Sequence, residues 1–136
     1  MALLLTLWLV FADIAAVKAE PDLEKRSELA LANADADLDR ARQAYTGGDE
    51  KATQSALSEL TESVDVSYDA LSHAHTPPRK SKYYKRAELK VRALIRRLTG
   101  FRDEVGFEGR PPVEAAIQKV SDVHDQLIAD IMSKKK

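Results

Sequence analysis

The segment of the chain with the most chemistry in it is Arg79-Lys80-Ser81-Lys82-Tyr83-Tyr84-Lys85-Arg86. Five bases around two adjacent tyrosines have the composition of a surface that holds phosphates and stacks on planar groups. Arg79, Lys80, Lys82, Lys85 and Arg86 are therefore the candidate anion-binding or partner-binding residues. The alternative reading of the same bases is a face of intramolecular salt bridges, each worth little when exposed.

Two other groups invite a metal reading. Asp35, Asp37 and Asp39 alternate as at the opening of a calcium loop, but the sixth position is Arg40, where Gly is needed, and the twelfth is Thr46, where Glu is needed. On a helix Asp37 points away from the other two, so a solvated acidic face is the better reading. His73, His75 and His124 could hold zinc or copper if three neutral imidazoles converged with nearby carboxylates. Spacing does not bring His124, in mid-helix, to the pair at a helix end, and a histidine there can simply cap terminal carbonyls. The three remain metal candidates for an alternative reading as a metal-binding periplasmic bundle; no metal ligand is assigned.

Catalysis has little to stand on. There is no Cys, no glycine-rich nucleophile elbow and no Ser-His-Asp context, and no Cys-x-x-Cys-His run for covalent haem. Paired carboxylates occur on polar faces where their pKa values stay ordinary. The expectation is a protein that is not an enzyme and uses no cofactor.

Those residues must be positioned by helices. Gly and Pro cluster at a few places and divide the chain into helices of about 21–45, 49–73, 82–106 and 112–132. Pro21 suits an opening turn, Gly47-Gly48 a left-handed stop, and Asp49 and Ser81 are natural N-caps. Thr76-Pro77-Pro78 and Arg110-Pro111-Pro112 act as separators. Apolar residues step by three and four in each helix, most regularly at Tyr84, Ala87, Val91, Leu94, Leu98, Phe101 and Val105. The second helix repeats the pattern with Leu57, Leu60, Val64, Tyr68 and Leu71, and the fourth with Val113, Ala116 or Ile117, Val120, Val123, Leu127 and Ile131. The first is Ala-rich, with Leu23, Ala30, Ala34, Leu38, Ala41 and Tyr45. Gly100 falls inside the third helix, whose seam should carry through it.

Short connections between long helices predict an all-α, antiparallel up-down-up-down four-helix bundle. Asp49 to Ser72 holds six acids and one base, and Arg79 to Glu104 ten bases and three acids. That contrast predicts that the second and third helices lie side by side, with a dipolar surface behind the net charge of −1.

The amino-terminal residues 1–19, MALLLTLWLVFADIAAVKA, read as a secretory signal peptide that lacks the usual basic start. The apolar run is about ten residues before Asp13, too short for a spanning helix, which needs about 20. Cleavage after Ala19 would leave residues 20–136 as a single domain, periplasmic or secreted, with neither lipid anchor nor disulfide, since there is no Cys. The partner expected in that compartment is a protein or an anionic envelope component such as a phospholipid head group, lipopolysaccharide or an acidic protein, not nucleic acid. An Ala-rich seam also leaves room for a homo-oligomer.

Two resemblances add to this. Ala41 to Ala52, with Tyr45, Gly48 and Asp49, resembles the hairpin turn of tetratricopeptide-type repeats, but no second copy follows and the helices are about twice as long. Over about 110 residues, the run from Pro21 to Asp35, the AYxxGD turn, the stretch Tyr84 to Phe101 and the closing VHDQLIADIM are similar to small exported all-helical proteins of uncharacterised function, of acidobacterial type. That resemblance implies export and transfers no ligand or catalytic role to any position.

Overall fold

The structure is a computed structural model that describes residues 14–133, in which there are helices and no strand. Residues 14–19 form a short helical stretch, α1. Four long helices follow: α2 (Leu23–Thr46), α3 (Glu50–Ser72), α4 (Lys82–Glu104) and α5 (Arg110–Met132), with 3-10 turns at Pro78–Lys80 and Phe107–Gly109. None of the described helices is long and apolar enough to cross a membrane.

Caps set the boundaries. Asp49 accepts from the Ala52 amide at 3.0 Å and Ser81 from the Tyr84 amide at 3.2 Å, satisfying donors that a helix start leaves unpaired. Gly48 takes φ 76°, the left-handed residue that turns α2 into α3. Two expectations are corrected. Pro21 lies outside the first long helix, whose cap is Asp22, accepting from the Glu24 and Lys25 amides at 3.1 and 3.2 Å. Pro111 and Pro112 do not separate helices but sit in the first turn of α5, where a missing amide proton costs no intrahelical bond.

The seams pack as their spacing requires. Every residue of the α4 stripe from Tyr84 to Val105 is buried, as are Leu57, Leu60, Val64 and Leu71 of α3 and Val113, Ala116, Val120 and Leu127 of α5. Side chains such as Leu38, Leu60 and Leu98, fully buried, each contribute roughly 1.5–3 kcal/mol. Gly100 lies within α4 without ending it.

Helix α2 packs most extensively on α3 and α4 on α5, and the two hairpins meet through α2 against α4 and α3 against α5. Within the second hairpin Glu88 meets His124 and Tyr84 meets Asp130, so those helices are antiparallel. Between hairpins the neighbours are parallel: Arg86 pairs with Glu28, Arg97 with Asp35 and Asp39, and Arg42 with Glu104, the two numbers rising together.

The expected contact of acidic α3 with basic α4 is therefore overturned: these helices lie on the diagonal and touch at few positions. Helix α2, with α5, separates them. Its small residues Ser27, Ala30, Ala34 and Ala41 let α3 approach closely, and its own Glu28, Asp35 and Asp39 satisfy bases of α4. Burial chooses neighbours here, because exposed ion pairs contribute at most about 1 kcal/mol each.

The signal-peptide expectation covers residues 1–19, of which 1–13 lie outside the described residues. In α1, Val17 is buried and Lys18 pairs with Glu62 of α3. The main core cluster runs from Leu31 to Leu127 and includes no residue of α1.

Candidate functional site

Once one side of α4 is committed to the core, its other side follows from helical geometry. Lys82, Lys85, Leu89, Arg92 and Arg96 recur at intervals of three and four, on the face opposite Tyr84, Val91 and Leu98. All five are exposed. On the flank toward α2 two bases are paired: Arg86 reaches Glu28 at 3.1 Å and Arg97 reaches Asp35 and Asp39 at 2.9 and 2.6 Å.

The structure divides the sequence-predicted basic residues. Arg79 and Lys80 are exposed on the 3-10 turn that leads to α4, and with Lys85 they have no ion pair among the described residues. Lys82 and Arg86 lie over the ring of Tyr83, 5.3 and 5.7 Å from its centroid, a geometry worth about 0.5–1 kcal/mol at an exposed site. Tyr83, half-buried, carries the cations. Tyr84 is inside the core, where its hydroxyl donates to Asp130 at 3.3 Å beside that of Tyr68 at 2.7 Å. Burial and the Asp130 charge push both phenols up, that of Tyr68 to about 12.

On the opposite corner α3 exposes Glu50, Glu62, Asp65 and Asp69. Because α3 and α4 are diagonal, these acids do not face the basic stripe. The bundle is a dipole with its basic and acidic helices on opposite sides.

The three histidines are not brought together by any contact. His73 caps the end of α3, its Nδ1 2.8 Å from the Asp69 carbonyl oxygen. His75 is exposed in the connection to α4. His124 is not at a helix end: from mid-α5 its Nε2 lies 2.7 Å from Glu88. Glu88 also accepts from Arg92 at 2.8 and 2.6 Å. Burial works against the Glu88 charge, but His124 and Arg92 hold its carboxyl below the ordinary value. Among the described residues no group of three or more His, Asp or Glu is placed to hold a metal.

A second polar cluster, unanticipated from the sequence, lies between α2 and α3. Asp35 and Asp39 reach across to Arg97 of α4, whereas Asp37 turns inward and is fully buried. Arg40 binds both Asp37 and Glu59, and the Asn33 amide donates to Ser63 at 2.9 Å and Glu59 at 3.1 Å. One turn on, Ser27 and Ser67 share a hydrogen bond of 2.8 Å. Burial, reinforced by Glu59 and partly opposed by Arg40, pushes the Asp37 carboxyl up to about 8. For Glu59 burial acts in the same direction, but Asp37, Asn33 and Arg40 outweigh it and hold its carboxyl low. The two carboxyls are thus pushed in opposite directions, with Arg40 against both. The clue in the sequence was thin: Asn33, Asp37 and Arg40 follow the same three-four spacing as the Ala stripe beside them.

A cleft of about 480 Å³ lies at the other end of the bundle between Tyr45, Asp49, Phe107, Glu108 and Pro112 and contains none of the predicted site residues. No family model, curated protein or solved structure matches the chain.

Proposed function

We propose that the chain is an exported, non-enzymatic helical bundle that binds an anionic partner through the basic segment opening α4, with Arg79, Lys80, Lys82 and Lys85 as the contacting cations and Arg86 as the residue that braces Tyr83. The observation that carries this reading is the diagonal placement of α3 and α4. Had the acidic helix lain beside the basic one, the charges would have been used internally. Placed apart, they leave the cations of α4 directed outward, and a field of one sign on one side steers an oppositely charged partner.

In this reading the 19-residue leader is removed on export and the four long helices close as one up-down-up-down bundle in the periplasm or outside the cell. The core cluster from Leu31 to Leu127 supports it, because removal of α1 leaves that cluster whole. Export is tested by the amino-terminal sequence of protein recovered from the periplasm or medium: a start at Glu20 agrees, and a retained Met1 refutes cleavage.

Binding is tested by titrating the protein with anionic vesicles and with an acidic polypeptide at rising salt. Lys80, Lys82 and Lys85 to Glu, together, should abolish association, and wild-type association should weaken as salt shortens the reach of the charges. Association unchanged by that triple reversal would refute the reading.

A further inference from the structure

Resting on the anion-binding reading above, we infer that the partner is a phospholipid surface bearing anionic head groups, and that α4 lies along it with Lys82, Lys85, Leu89, Arg92 and Arg96 facing the lipid. The shape of the site points to a plane rather than a pocket. Five residues at intervals of three, four, three and four form one line along a helix, about 21 Å from Lys82 to Arg96 at 1.5 Å per residue. They stand on an outward, convex face. A line of cations on a convex face meets an extended sheet of charge more completely than it meets a single anion.

Leu89 supplies the second argument. It is 57% exposed at the centre of the line, whereas the other large apolar side chains of the helix are buried or half-buried. At a bilayer that side chain enters the head-group boundary while the lysine and arginine stems flanking it keep their charges in the phosphate layer. The charge balance along the line is also one-sided. Arg92 shares its charge with Glu88, and Asp103, next to Arg102, closes the far end; Lys82, Lys85 and Arg96 have no ion pair among the described residues. The exposed acids of α3 are held on the diagonal corner, away from the lipid. One leucine and a few cations make a reversible peripheral contact and not an anchor.

The chain has no Cys, so single labels can report the orientation directly. Spin labels on Leu89→Cys and on Asp65→Cys, which is exposed on the opposite helix α3, would be compared on vesicles of equimolar phosphatidylglycerol and phosphatidylcholine. The label at 89 is expected to become shielded from a water-soluble relaxation agent while the label at 65 stays accessible. Lys85→Ala with Arg96→Ala should weaken partitioning by about tenfold or more, given the usual effect of each cation near an anionic leaflet. Vesicles of phosphatidylcholine alone should not bind. These positions are all exposed, and unchanged helical circular dichroism would confirm that the variants fold.

Binding to the mixed vesicles with both labels equally accessible would overturn the inferred orientation while leaving anion binding intact. Binding to polyglutamate but not to the vesicles would overturn the lipid assignment and again leave the broader reading standing. Binding to neither would overturn both.

Discussion

The two hairpins of this bundle are built from opposite materials. The buried residues of α4 and α5 are mostly large and apolar, Tyr84, Leu94, Leu98, Phe101, Val120 and Leu127 among them, with Glu88 meeting His124 beside them. Between α2 and α3 much of the buried surface is Ala and Ser, and a carboxyl and an amide are buried with it against a half-buried guanidinium. Yet the second interface is the more extensive in backbone proximity. Small side chains allow close approach but contribute little apolar area each, and a polar cluster that is satisfied in only one register adds what they lack in specificity. One hairpin is held by burial, the other by fit.

The comparison breaks most visibly at Phe101. Its ring stands edge-on to Tyr45 at 5.9 Å and lies under the Arg42 guanidinium at 5.7 Å. Phe101→Ala should lower the unfolding free energy by about 3–5 kcal/mol in denaturant titration. A loss below about 1 kcal/mol would mean that the apolar half is not what holds the bundle.

A pH series tests the other half. Asp37 has its folded pKa raised from 3.8 to about 8, so between those values the native state holds a proton that the unfolded chain has released. Stability should therefore be greatest at the acidic end of that window and fall as pH rises through it, with a slope of up to about 1.4 kcal/mol per pH unit. Glu59, lowered, acts in the opposite sense and loses its contribution as the solution becomes more acidic than its ordinary 4.5. Asp37→Asn, a neutral amide of the same shape, should flatten the fall toward pH 8 while leaving stability near pH 5 within about 1 kcal/mol. A wild-type curve that climbs from pH 5 to 8 would show that the cluster is ionised in both states.

Two glycines sharpen the contrast at smaller scale. Gly48 has open space around it but a φ of 76°, so Gly48→Ala should destabilise by about 1 kcal/mol through the backbone alone. Gly100 lies in α4, where an added methyl would meet only the end of Arg42 at 3.7 Å. Gly100→Ala should stabilise by about 0.5–1 kcal/mol. Thermal melts of the two variants should move in opposite directions.

Much of the local structure was legible in the residues. The caps Asp49 and Ser81, the turn at Gly48, the course of α4 through Gly100 and the burial of Tyr84 follow from rules that act within a few residues. The same rules misplaced Pro21, Pro111 and Pro112 by a turn, because proline is equally at home just before a helix and in its first turn. The candidate cations were legible as a composition. Which of them are directed outward was not: Arg86 and Arg97 are taken by acids of α2 that lie 58 to 62 positions away in the chain.

The sequence by itself determined four long amphipathic helices, their punctuation and the separation of acidic from basic segments, since each depends on periodicity and caps read along one helix. Only the tertiary structure decided which helices are neighbours. That choice placed α3 and α4 on the diagonal, turned Asp37 inward between two Ala-rich faces and left the basic stripe of α4 facing solvent. The physical reason is that close packing of small side chains outweighs attraction between exposed charges, and packing is a property of two surfaces together.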